Sequence, residues 1–399
     1  MRIVQACFRF DAPGGAEDHV LQISKEMVRR GHEVTVHTTD VLTETPWKRG
    51  SWPPVKEPHS TGRSENASPE TEGIRVVRHK AFVRSLSTRL STLLYPDMLG
   101  GLLNERCDLF HAHSHRYFQL EAAACAARAT GIPLFITPHY HPAEEKEPLK
   151  TRILLKLYDL YSAGAIYRHA KRILTVTDLE KGYMSSFVPT KKCVTVGNGI
   201  DPEEWKSIPS PELFRDRYNI DGPYILYSGR LASNKGLELL FRALPSIFET
   251  FGGTMVLVGK DWGMKGELLR MARESKLGKR VKFIDFLADR DLYKAALAGA
   301  ELFVLPSQWE AFGIVLLEAA MCGKSSVATA IGGIPEVVES GKTGLLVPYG
   351  DQKALATAVL SILQDPENAK KMGQSARRAA LEKHTWPKVV DRILQAYGQ

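Results

Sequence analysis

Two rhythms of apolar and polar positions alternate along this chain. Short runs of consecutive apolar residues mark buried parallel strands, and between them apolar residues recur every three or four positions, as in amphipathic helices. Residues 2–8 form the first run. A turn-forming segment follows, Asp11-Ala12-Pro13-Gly14-Gly15-Ala16, then Val20, Ile23, Met27 and Val28 at helical spacing up to Gly31, then a second run at 33–38. This strand–helix–strand unit opens a parallel sheet, because parallel neighbours need a crossover that a helix supplies. Further strands are predicted over 74–77, 109–113, 134–137, 172–176 and 193–196, and helices over 91–104, 120–130 and 149–170. From Tyr224 the rhythm restarts, with strands over 224–228, 254–258, 281–285, 301–305, 325–329 and 344–347.

Two stretches interrupt the pattern. Residues 41–73 are rich in Pro, Ser, Thr, Glu and Lys and read as a long loop. The Pro-punctuated stretch from Asn198 to Pro211 reads as a hinge between domains. The expectation is an α/β protein with two doubly wound domains, 1–200 and 201–384. The two halves share a rhythm and no sequence repeat.

A length of 399 residues suits two cores, and 44% hydrophobic with 25% charged residues is ordinary for a globular protein. Net charge is +8, of which the first 200 residues carry +6. That bias fits an anionic partner or a slightly basic surface. The helix over 149–170 carries Lys150, Arg152, Lys156 and Arg168 beside Ile153, Leu154, Leu157, Leu160 and Ile166, a face suited to a membrane surface or an anionic acceptor. Five scattered cysteines without a CxxC pair argue against a disulfide framework and fit a reducing compartment. The start reads as a strand rather than a signal peptide, and no apolar run reaches the roughly 18–20 residues of a membrane span. The expected location is cytoplasmic, including the inner face of a membrane. Nucleic acid is not an expected partner.

Chemistry concentrates in residues 303–319. A buried run ends at Pro306, a polar loop carries Glu310, and a helix starts near Phe312 and Gly313 with Glu318 on its second turn. Gly313 lets a ligand approach the backbone, and the first N–H groups, those of Gly313, Ile314 and Val315, form an anion site at the positive end of the helix. Eight residues separate the two carboxylates, roughly 12 Å at helical rise. That spacing exceeds the roughly 5–9 Å of a glycosidase pair and suits a diphosphate with a sugar at each end. Arg230 and Lys235, five residues apart on a strand–loop turn, are two cations able to neutralise such a diphosphate. Gly14 and Gly15 make a similar turn after the first strand. His111, His113 and His115 alternate at a strand end, but nothing nearby in sequence completes a ligand set, so no metal site is expected.

The stretch 303–319 resembles the E-x7-E signature of the retaining GT-B glycosyltransferases of family 4. Ser228–Gly236 is similar to that family's G-R-x4-K-G loop, Ala330–Val338 to its Gly-rich loop, and Gly344–Pro348 to the strand that follows. Pro13–Glu17, the strand end at 108–113 and Asn198–Asp201 also fit, while 41–73 and 141–170 depart from the pattern. The resemblance implies a GT-B fold, two Rossmann-like domains facing a central cleft, with a final helix over 385–399 packing back on the first. It implies acceptor binding mainly by the first domain and nucleotide-sugar binding by the second. Glycosyl transfer would proceed with retention from a UDP- or GDP-linked sugar to a hydroxyl of a lipid, glycan or small molecule. Arg230 and Lys235 would hold the diphosphate, Glu318 the ribose, and Glu310 and His113 the transferred sugar. His139 would line the acceptor side, and Gly14, Gly15 and the segment Phe312–Val315 would touch donor groups. No cofactor is required on this reading; Mg²⁺ is compatible with it but not implied. A nucleotide-sugar epimerase of the same fold and a non-catalytic sugar-nucleotide-binding protein are the alternatives. A dehydrogenase is disfavoured because the first strand lacks GxGxxG.

Overall fold

The computed structural model describes residues 1–10, 14–40, 73–85, 91–140, 142 and 148–398. Pro13 and nearly all of the predicted 41–73 loop lie outside these residues. The chain divides into two compact units, Met1–Gly197 with Trp386–Gln399, and Asn198–Thr385.

The first unit is built on strands β1 (Arg2–Ala6), β2 (Glu33–Thr39), β3 (Ile74–His79), β4 (Phe82–Ser85), β5 (Ser91–Leu94), β6 (Leu109–His113), β7 (Leu134–Thr137), β8 (Arg172–Thr175) and β9 (Cys193–Thr195). Seven of them form a parallel sheet in the order β3-β2-β1-β6-β7-β8-β9, and β4 and β5 make a separate antiparallel pair. Strand β1 is central, with Val4 in register with Thr35 of β2 and Phe110 of β6. Chain order reverses there, so the carboxyl ends of β1 and β6 frame the crevice where such sheets take ligands. The helix expected over 91–104 is instead β5 followed by a helix over Asp97–Leu103. Pro96 disfavours α geometry in the residue before it and then serves as the cap of the shorter helix. The segment 149–170 is helical but not uniform, with α turns at Leu149–Leu157 and Gly164–His169 flanking a π segment at Tyr158–Ala163. The last helix, Trp386–Gly398, places Val389, Val390 and Ile393 in one cluster with Ile23 and Met27 of the helix Gly15–Arg29. Full burial of each such side chain contributes about 1.5–3 kcal/mol.

The second unit carries β10 (Tyr224–Ser228), β11 (Thr254–Val258), β12 (Val281–Ile284), β13 (Leu302–Leu305), β14 (Ser326–Thr329) and β15 (Leu345–Val347). They form one parallel sheet ordered β12-β11-β10-β13-β14-β15. The reversal falls between β10 and β13, and the loops after these strands are the ones that carry the candidate residues.

Candidate active site

In the second unit three loops meet beyond the carboxyl ends of β10, β13 and β14. The loop after β13 is pinned to the loop after β10 by hydrogen bonds from the Gln308 and Trp309 N–H groups to the Asn234 carbonyl (2.9 and 3.3 Å). It is pinned to the loop after β14 by the Gly333 N–H donating to the Glu310 carbonyl at 3.0 Å and the Thr329 hydroxyl donating to the Ser307 carbonyl at 2.6 Å. These approaches need glycine. A Cβ on Gly236 (φ +63°) would lie 1.9 Å from the Pro306 carbonyl oxygen, and one on Gly332 (φ +57°) 1.8 Å from that of Glu310. Backbone is hit in both cases, and L side chains avoid those φ values.

The convergence sets the side chains. Lys235 Nζ sits 2.5 Å from Glu310 Oε1, which also accepts from the Ser307 hydroxyl at 3.0 Å. Both charged side chains are largely buried, at 12% and 14% exposure, so this pair is screened far less than a surface one. The helix Ile314–Met321 starts at Gly313 (φ +90°), with Phe312 buried before it and no side chain capping its first N–H groups. The amides of Ile314 and Val315 stand at the positive end of that short dipole. Arg230 stacks its guanidinium 4.8 Å from the Trp262 ring centroid.

Glu318 has a separate set of partners. Its carboxylate accepts from Tyr293 OH at 2.7 Å and pairs with Arg290 at 3.2 Å, and Arg290 is held by Glu204 at 2.6 Å. Burial by itself lowers the Arg290 pKa, yet the Glu318 and Glu204 carboxylates hold it above the usual arginine value. Arg290 and Tyr293 lie on the helix Arg290–Gly299 and carried no motif in the sequence. A buried-face Tyr three residues after an Arg was the only signal.

The first unit places its candidates at the ends of β1, β6 and β7. Gly14 and Gly15 open the helix Gly15–Arg29, again with no side-chain cap. His111 is fully buried between Thr137 Oγ1 (2.8 Å) and Tyr397 OH (2.7 Å), and burial pushes its pKa down to about 3. His113 Nε2 faces Gln5 Oε1 at 2.8 Å. A hydrogen-bond chain assigns its tautomer: the Ser24 hydroxyl donates to the Val20 carbonyl, so it accepts from Gln5 Nε2 at 2.8 Å, which leaves Gln5 Oε1 as an acceptor. His113 Nε2 therefore carries the proton and Nδ1 the lone pair. His139 follows β7 with φ +46°. His111 and His113 pack side by side with ring centroids 4.0 Å apart, and His115 turns away from them. His115 instead bonds Asp159 and Tyr167, at 2.8 and 2.9 Å, and Arg116 joins it on Asp159 at 2.6 Å. The π segment is what carries Asp159 to that buried position.

Fold and site together define a sugar-nucleotide transferase architecture, and the comparisons agree. Residues 13–204 match the family described as Glycosyltransferase Family 4, and residues 212–379 match Glycosyl transferases group 1. The chain belongs to this group 1/family 4 class of GT-B glycosyltransferases and is a glycosyltransferase. It is similar to a glycogen synthase of Mycobacterium tuberculosis, 27% identical over 100% of this chain and 94% of that one. It is 32% identical to a GDP-mannose-dependent phosphatidylinositol monomannoside mannosyltransferase of Mycolicibacterium smegmatis, over 51% of this chain and 56% of that one. Its fold is shared with HepE of Anabaena in complex with UDP and glucose (TM-score 0.77, 21% identity, 100% and 99% coverage). It is shared too with the sucrose-phosphate synthase of Thermosynechococcus elongatus (TM-score 0.73, 22% identity, 100% and 98% coverage). No helix among the described residues is long and apolar enough to cross a membrane.

Proposed function

We propose that this enzyme transfers a glycosyl group, with retention of configuration, from a UDP- or GDP-linked sugar to an acceptor hydroxyl. The observation that carries the reading is the convergence of Lys235, Glu310 and an uncapped helix start on one side of the second unit's sheet. Charge develops on the leaving diphosphate as the glycosidic bond breaks, and preorganised donors aimed at it lower the barrier. Arg230, Lys235 and the N–H groups of Ile314 and Val315 supply them. Glu318, oriented by Arg290 and Tyr293, accepts ribose hydroxyls, and Glu310 accepts from the sugar once a diphosphate draws Lys235 to itself. His113 offers its Nδ1 lone pair to a sugar hydroxyl, and Gly14, Gly15 and His139 serve the first unit's share of donor and acceptor binding. The departing phosphate oxygen takes the acceptor proton on the same face, so no protein base is assigned. The UDP complexes of HepE and the GDP-mannose dependence of the mannosyltransferase relative support these two donor classes.

The acceptor proposed is a lipid-linked or glycan hydroxyl presented at an anionic membrane surface. Leu149, Ile153, Leu154, Leu157, Leu160 and Tyr161 are exposed on the helical segment that also bears Lys150, Arg152 and Lys156. Such a face buries apolar area in the interface and attracts anionic headgroups. Thermal shift against UDP-, GDP- and ADP-sugars tests the donor: the correct one raises Tm and slowly releases nucleoside diphosphate without acceptor. A chain that binds none and hydrolyses none overturns the proposal.

A further inference from the structure

The polar interior of the first unit brings together three histidines, two of which the proposed function already uses. His19 from the helix Gly15–Arg29, His113 from the end of β6 and His139 beyond β7 bring one ring nitrogen each within 4.8 Å of one another. Their ring centroids are 5.1, 6.1 and 6.2 Å apart. His19 and His113 are buried and His139 is half-buried. His113 Nδ1 and His139 Nε2 are enclosed and have no hydrogen-bond partner among the described residues.

We propose that His19, His113 and His139 bind one divalent transition-metal ion, zinc being the best fit. Two arguments carry this. Zinc takes imidazole nitrogens at about 2.0–2.1 Å, which sets them about 3.3 Å apart, so side-chain rotations closing gaps of up to about 1.5 Å complete the site. The Gln5 carboxamide already performs the task of an outer partner: it fixes the His113 ring and presents the Nδ1 lone pair to the group. Three neutral ligands leave the ion its full charge, so the fourth position takes hydroxide or another small anion.

One consequence rests on the proposed function. The Nδ1 lone pair that His113 offers to the sugar is the one it gives the metal, so a loaded site inhibits transfer. Binding itself does not depend on that reading, and the two are tested separately. Full-length protein stripped with a chelator is titrated with Zn²⁺ by calorimetry and with Co²⁺ by visible absorption. The expected result is one equivalent bound, with tetrahedral cobalt bands lacking thiolate charge transfer. His139→Asn, chosen because asparagine tolerates positive φ, weakens binding by at least about 100-fold, while His169→Asn on the exposed surface does not. X-ray absorption at the zinc edge of the wild-type protein needs no variant and should show nitrogen and oxygen neighbours with imidazole scattering. No binding, sulfur ligation, or a cobalt spectrum unchanged in a folded H139N protein overturns the site. One equivalent bound with transfer rate unaffected supports the site and removes His113 from the sugar.

Discussion

The two units solve the problem of placing charge near a sheet in opposite ways. The second unit gathers its polar groups on loops and a helix beyond the strand ends, where backbone contacts hold them. Lys235, Glu310 and Glu318 are each already paired, and on the proposed function a diphosphate or a ribose replaces those partners. The first unit sinks its polar groups into the interior: His111, His113 and His115 are buried, and Asp159 answers to His115, Arg116 and Tyr140 at once. Loss of Lys235 should therefore be felt as lost rate, and loss of Asp159, which holds His115, Arg116 and Tyr140 together, as lost stability.

The largest expected effect tests that division directly. Lys235→Ala should lower turnover by about 10²–10³-fold, the range seen when a preorganised donor is removed from developing charge. Wild-type turnover in steady-state kinetics would remove the phosphate role. In the first unit, Asp159→Ala should destabilise by about 3 kcal/mol, because it strands a buried guanidinium and imidazole; chemical denaturation showing no change would erase the contrast.

A pH effect comes next. His79 is bonded to His37 Nδ1 at 2.9 Å, and His37 Nε2 faces Glu105 at 3.0 Å. Burial pushes the His79 pKa down from 6.5 to about 4, with the neighbouring His37 adding to the drop. The unfolded chain then binds a proton that the folded one refuses between those values. Stability is full above pH 6.5, falls as pH drops toward 4, and levels below it, by an amount on the order of 3 kcal/mol. Melting curves flat across that window would refute this. The smallest effect belongs to the exposed helical face: Leu157→Ser should change stability by less than about 0.5 kcal/mol yet lower co-sedimentation with anionic vesicles. Equal binding to neutral and anionic vesicles would set the membrane reading aside.

Legibility differed between the units for the same reason. Glu310, Gly313 and Glu318 are neighbours on one strand–loop–helix turn, and Arg230 and Lys235 on another, so local spacing exposed them. Arg290 and Tyr293 reach Glu318 from a helix with no motif of its own, and only packing reveals them. The histidines at 111, 113 and 115 alternate in one strand rhythm, and the first two do pack together. The chain diverges after His113, where Ser114 and Arg116 take positive φ, and His115 leaves the sheet.

By itself the sequence determined the alternation of strands and helices, the parallel sheets, the turn glycines and the charged residues at strand ends. All of these follow from periodicity and from steric limits on single residues. Tertiary structure decided the rest: that Lys235 meets Glu310 from two separate loops, that Arg290 orients Glu318, and that His19, His113 and His139 converge from positions far apart in the chain. Long-range contacts depend on crossover topology and on which buried polar atoms must find partners. No short window of residues carries that information.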